Sequence, residues 1–163
     1  MAVVPPDAGR TGFSVPALAE ESFASVSGEL TPLIIRFWRE AKRTEELDPD
    51  WMGLLRMEAF GQLALLTARA DGPLVGFVLN SLQGRHLFYK MKSASTIAYW
   101  LDPVFRTGMF AVRMFRRNLE MLKERGAQKV YIAADLHYLD GRAGKLFERL
   151  GYELHETHYS KVL

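Results

Sequence analysis

Residues 100–132 read "WLDPVFRTGMFAVRMFRRNLEMLKERGAQKVYI". A β-type run stops at Asp102-Pro103, since proline has no N–H to give to a sheet ladder. A short turn holding Arg106 and Gly108 follows. From about Gly108 to Arg125, Val112, Phe115, Leu119 and Leu122 recur at helical spacing, and Gly126 stands where glycine commonly ends a helix. "KVYIAA" then reads as a short buried strand. Strand, helix and strand in that order predict a crossover, and so a parallel strand pair at the centre of a sheet.

The head of that helix is the chemically distinctive point. A helix begins with unpaired N–H groups and a partial positive charge. Placed after a strand in a glycine-containing turn, these form a cradle for an anion. The candidate donors are the amides of Thr107, Gly108, Met109, Phe110 and Ala111. Gly108 lets the backbone come close to a ligand. Arg106 adds charge, and Arg113, Arg116 and Arg117 follow on the helix. A phosphate-bearing cofactor suits such a place. The same residues also read as an ordinary strand-to-helix connection leading into a solvated basic face. The Gly-Lys-Ser/Thr of a P-loop and the glycine triplet of a dinucleotide site are both missing.

Outward from this stretch, residues 16–27 read as a short helix, and "ELTPLIIRFWREAKRTEEL" as a longer one with Leu30, Leu33, Ile34, Phe37 and Ala41 on one face. "LDPDWMGLLRMEAF" predicts another, with Asp48 as N-cap and Pro49 at its first position. "QLALLTARADGPLVGFVLNSL" predicts a β-hairpin about Asp71-Gly72. "GRHLFYKMKSA" reads as a loop or strand edge and "STIAYWL" as the strand entering the turn. Beyond it, "LDGRAGKLFERL" is a helix stopped by Gly151, and "YELHETHYSKVL" one or two closing strands. The expected class is therefore α/β with a mixed sheet.

Composition narrows the function. The 163 residues, 48% hydrophobic and 25% charged, predict a single domain, 1–163, with residues 1–12 as a flexible lead-in. A net charge of +2 does not describe a general nucleic-acid binder. With no cysteine, disulfides, Cys-ligated zinc and a thiol nucleophile are excluded, which suits a reducing, cytoplasmic setting. No apolar run has the length of a membrane span, so no membrane partner is expected.

The stretch from Leu101 to Ile132, with "AGKLFERLGYELHETHYSKVL" at 143–163, resembles the GNAT acetyltransferase superfamily, and in its closing strand the short phage and prophage members. In that family an Arg/Gln-x-x-Gly-x-Gly/Ala loop opens a helix, and a later helix ends in an "LFE-x-LGF/Y" phrase. Arg106 takes the Arg/Gln position and Ala111 the last small one, while the first glycine stands one residue early, at Gly108. The resemblance runs from about residue 62 to 163. It implies a mixed, mostly antiparallel sheet whose central parallel pair is splayed at a cofactor cleft and flanked by helices. The cleft would open between Tyr99–Leu101 and Tyr131–Ala134.

The implied activity is acetyl transfer from acetyl-CoA to an amine of a small molecule, peptide or protein. The pantetheine arm would pair with backbone around Trp100, Leu101 and Asp102, and the diphosphate would lie over the turn, with Arg113 beside it. An amine with a pKa near 10.4 must lose a proton before it attacks. "SASTIAYWL" offers no carboxylate for this. His137, after the second central strand, is the leading candidate base, with Asp102 next. His86 and Tyr89 are candidates for the acceptor pocket. The family's thiolate-protonating tyrosine is replaced by Phe147, which leaves Tyr159 as a substitute. Pairing through the sheet edge would allow a homodimer. The alternative reading is a binding or structural module of this shape without catalysis, such as a virion or assembly component, which exposed Trp38 and Trp51 would favour.

Overall fold

The computed structural model describes residues 14–85, 88, 90–134 and 141–161. Its elements in chain order are β1 (Ala17–Glu20), α1 (Phe23–Glu40), α2 (Trp51–Ala59), β2 (Leu63–Arg69), β3 (Leu74–Arg85), β4 (Lys92–Leu101), α3 (Phe110–Glu124), β5 (Lys129–Tyr131) and α4 (Arg142–Arg149). The strands form one sheet in the order β1-β2-β3-β4-β5. Every neighbouring pair is antiparallel except β4 and β5, which run parallel as the crossover requires but stand, among the described strands, at one end of the sheet rather than at the centre expected from the sequence. The mixed α/β class expected from the sequence is the one observed.

The hairpin turns where expected. Asp71 and Gly72 both take positive φ, 52° and 113°, the pairing that a tight two-residue turn demands. All five apolar positions expected on the first long helix are buried, and they pack with Phe77, Val78, Trp100 and Leu101 of the sheet.

Four further expectations need correction. Residues 16–27 are not one helix. Ala17–Glu20 pairs with β2 as an edge strand, and α1 starts at Phe23. That start is fixed from far away. Ser22 gives no side-chain cap, while the Glu58 carboxylate on α2 accepts the N–H of Ala24 at 3.0 Å and that of Phe23 as well. A carboxylate on the first N–H groups of a helix does the work of a local cap. The next helix is capped by Asp50 rather than Asp48, with Asp50 Oδ1 accepting the Gly53 N–H at 2.8 Å, so it begins two residues later than predicted.

The buried face of α3 also differs. It is formed by Phe110, Met114, Phe115, Asn118, Met121 and Leu122, with Val112 and Leu119 only partly covered, because buried Asn118 has a polar partner on the sheet. Finally, residues 152–161 form no strand. Past Leu154 neither alternate face of this segment is apolar, so pairing would bury little, and Leu154 and Tyr159 are 90% and 94% exposed.

Candidate active site

The parallel ladder between β4 and β5 is short: Ser93 pairs with Lys129, Ala94 with Val130, Ser95 with Tyr131, and there it stops. The next residues of β4 explain the break. Against β3, Thr96 faces Asn80 and Ala98 faces Leu79, so Ile97 is an extra residue with no partner. A β-bulge of this kind bends its strand and ends regular pairing. Here the ladder with β5 ends just before the bulge, which leaves a gap in the pairing between Tyr99–Leu101 and residues 132–134. The Tyr99 hydroxyl reaches across it to donate to the Ala133 carbonyl at 3.2 Å.

A buried polar cluster holds the bulge. Thr96 Oγ1 donates to Asn80 Oδ1 at 2.9 Å, and Asn80 Nδ2 donates to Asn118 Oδ1 at 2.8 Å and more weakly to the Ala64 carbonyl at 3.3 Å. Asn80 and Asn118 are fully buried. Buried amides are tolerable only when paired in this way. Polar groups of β3, β4 and α3 are thereby locked together next to the point where the strands part.

The peptide groups that line the gap follow from alternation. Asp102 donates its N–H to the Val75 carbonyl at 2.8 Å, toward β3. Leu101 and Tyr99, one and three residues earlier, therefore turn their peptide groups the other way, toward the opening, although the Leu101 carbonyl is already taken by Arg106.

The turn closes this arm of the gap. The Asp102 carboxylate accepts the Val104 N–H at 3.0 Å and starts a short 3-10 segment, Pro103–Phe105, and it lies 3.6 Å from Arg36. Its visible work is to shape the turn. Gly108 follows with φ +72°, and a Cβ added there would meet nothing within 4 Å, so glycine is needed for conformation rather than for space. Among the described residues no side chain caps α3, whose N-cap position is held by Met109. Thr107, Gly108 and Met109 are exposed, while the Phe110 ring turns inward to the core beside Phe105, 6.4 Å between centroids. The Phe110 ring therefore does not fill the cradle.

Arg106 does not face outward. Its Nε donates to the Leu101 carbonyl at 2.6 Å, and its terminal nitrogen to both oxygens of Glu40 at 3.0 and 2.7 Å. The guanidinium also lies over the Trp100 ring, 5.6 Å from its centroid. Arg113, on the first turn of α3, lies 5.3 Å from the Phe110 centroid. Arg106, Trp100, Leu101 and Asp102 are thus brought together with the amides of residues 107–111. Tyr159 is not placed by any packing of its own and stands in the exposed terminal segment. His86, Tyr89 and His137 lie outside the described residues.

Phe147, in the position of the family's tyrosine, is buried and packs edge-on against Tyr99 and Phe115, with centroids 5.7 and 5.2 Å apart. It is a wall of the aromatic cluster beneath the gap. Tyr152 packs on the far side of Phe147 at 5.7 Å. Its hydroxyl is buried with no hydrogen-bond partner among the described residues, and burial pushes its pKa up to about 12. An unpaired buried hydroxyl weakens the fold, so Tyr152→Phe is expected to raise unfolding stability by about 1 kcal/mol. It should also remove one late-titrating tyrosine from an alkaline absorbance titration. Unchanged alkaline titration in the variant would show that Tyr152 is not that group.

Sequence reasoning missed Ile97, Glu40 and the Asn80–Asn118 pair. The bulge carries no glycine to announce it, and Glu40 sits among other charges at the end of a helix where a solvated face is the ordinary reading.

No protein-family model matches the sequence, and no curated protein matches it. Solved structures do match in shape. A ribosomal-protein-alanine N-acetyltransferase from Brucella melitensis biovar Abortus 2308 superposes with a TM-score of 0.71 at 20% identity, over 92% of this chain and 100% of that one. An aminoglycoside N-acetyltransferase in complex with CoA gives 0.69 at 16% identity over 99% of both chains. A predicted acetyltransferase from Clostridium acetobutylicum, solved with acetyl-CoA, gives 0.67 at 14% identity over 90% and 96%. The parallel pair split by a bulge, the open helix head after it and these superpositions agree: the chain has the fold of the GNAT N-acetyltransferases.

Proposed function

We propose that this protein is an acetyl-CoA-dependent N-acetyltransferase that acts on an amine. The observation that carries this reading is the join of two features. A bulge splits the parallel pair at Ile97, and the arm so freed leads within a few residues to a helix start at Gly108–Phe110 that no side chain among the described residues caps. Peptide N–H groups at such a start hold phosphate oxygens well. Peptide groups of β4 that face the opening suit an extended amide-bearing arm, as in strand pairing. The likeness to enzymes solved with CoA and acetyl-CoA supports the same ligand here.

Acetyl-CoA would supply a thioester activated toward attack. The chain would hold its diphosphate on the amides of residues 107–111 and its arm along Tyr99–Leu101. A β4 N–H turned into the gap is placed to stabilise the negative charge that develops on the thioester oxygen. The acceptor amine must reach the carbon unprotonated, and His137 is our candidate to take its proton, directly or through water. Phe147 has no proton for the leaving sulfur, which departs as thiolate or is protonated from elsewhere. Positioning of the two reactants supplies much of the acceleration in this scheme. Trp38 and Trp51 both pack against the core, so the exposed aromatic patch that would favour a binding module is not formed by them.

A thermal-shift titration with acetyl-CoA tests the reading, since a ligand that binds only the native state raises the melting temperature. A dose-dependent rise, with free thiol released over a panel of amines, is expected. No shift at millimolar acetyl-CoA would refute the proposal, and a shift with no thiol release would leave a cofactor binder without catalysis.

A further inference from the structure

Glu40, the last residue of α1, is a carboxylate that no sequence motif singles out, yet three hydrogen bonds from two residues converge on it from the cofactor corner. Trp100 Nε1 donates to Oε1 at 2.8 Å, and the Arg106 guanidinium reaches both oxygens at 3.0 and 2.7 Å. The pair is half-covered, with side-chain exposures of 21% for Arg106 and 32% for Glu40, so water screens it only in part. The same guanidinium is tied to the Leu101 carbonyl, the last residue of β4. One carboxylate thus joins the end of α1, the end of β4 and the first residue after the 3-10 segment.

We propose that Glu40 is a positioning residue for the diphosphate-binding turn, acting through Arg106. The proposal rests on the function read above and adds to it a division of labour. With its guanidinium held by Glu40 and Leu101, Arg106 serves as a strut that fixes the path of residues 102–109. The ligand's negative charge is then met by the main-chain N–H groups of residues 107–111. A planar guanidinium suits such a strut, because its donors are fixed in direction. An arginine meant to grip phosphate itself would be hindered by the same carboxylate.

The two roles predict opposite signs for one substitution. If Arg106 is a strut, Glu40→Ala loosens the turn and weakens coenzyme A binding. If Arg106 is a direct phosphate ligand restrained by Glu40, removing the carboxylate releases it and binding tightens or stays the same.

The experiment measures the dissociation constant of coenzyme A by calorimetry for the wild type, Glu40→Ala, Glu40→Gln, Arg106→Ala and the Glu40→Ala/Arg106→Ala double variant, well below each melting temperature. Each alanine variant is expected to weaken binding about tenfold, with the double variant no worse than the weaker single one, as for two residues acting as a unit. Glu40→Gln keeps an acceptor for Trp100 Nε1 and loses the charge. It is expected to weaken binding in the same direction, and it carries the test if Glu40→Ala does not fold. Wild-type or tighter affinity in the Glu40 variants, or losses that add in the double variant, would overturn the strut. Failure of the wild type to bind coenzyme A would overturn the functional reading, and this proposal with it.

Discussion

Gly108→Val is expected to abolish coenzyme A binding while the protein remains folded. Glycine takes φ +72° here, in the region that a β-branched residue resists most strongly. Space is not the obstacle, since nothing lies within 4 Å of a Cβ at this position. The variant must either hold the strained conformation, at about 1–2 kcal/mol, or relax to negative φ. Relaxation is the cheaper course in an exposed turn, and it swings the amides on both sides of residue 108 out of line. Displacement of a binding group by about 1 Å can cost about a hundredfold. Calorimetry with coenzyme A should therefore show at least that loss, with circular dichroism unchanged. Undiminished binding by a folded Gly108→Val protein would mean that the turn does not hold the ligand.

The second large effect is expected at Asn80. Its amide is fully buried, accepts from Thr96 and is paired with Asn118. Asn80→Ala leaves the Asn118 side chain and the Thr96 hydroxyl without this partner and opens a small cavity. Each buried polar group left unpaired costs about 1–3 kcal/mol, so the total loss should be about 3–5 kcal/mol. That is a large share of the stability of a domain of this size. Because Thr96 adjoins the bulge, catalysis by the surviving folded fraction should fall as well. Chemical denaturation checks the first effect and acetyl transfer per folded molecule the second. A loss under about 1 kcal/mol would show that water or a rearranged neighbour satisfies the pair.

These two positions differ in how far the sequence announces them. Gly108 is legible because its cause is local: a glycine between a strand-ending Asp-Pro and an amphipathic run has few other readings. The same holds for Asp71-Gly72, and for Gly126 and Gly151, which take φ of 88° and 87° beyond the ends of α3 and α4. The parallel pair is legible too, since strand–helix–strand order leaves little choice of topology. Asn80 is different. An asparagine late in an apolar strand says nothing about the helix that will cover it, and its partner is 38 residues away.

The other misses share that character. Glu58 caps α1 from 34 and 35 residues away, Glu40 meets Arg106 from 66, and β1 exists only because β2 lies beside it. Local pattern cannot report such contacts. The terminal segment failed for another reason: its glutamates and histidines fall on both alternate faces, so the apparent strand has no side to bury. The backbone turn at the candidate site was therefore legible, because glycine and proline mark the chain there. The side chains that hold the corner in place, Glu40 above all, were not legible.

The most direct test is a crystal structure of the protein with coenzyme A. The diphosphate should lie on the amides of residues 107–111, with the pantetheine arm along Tyr99–Leu101 and Arg106 still held by Glu40. Coenzyme A bound at any other place on the surface, with that corner empty, would contradict the account.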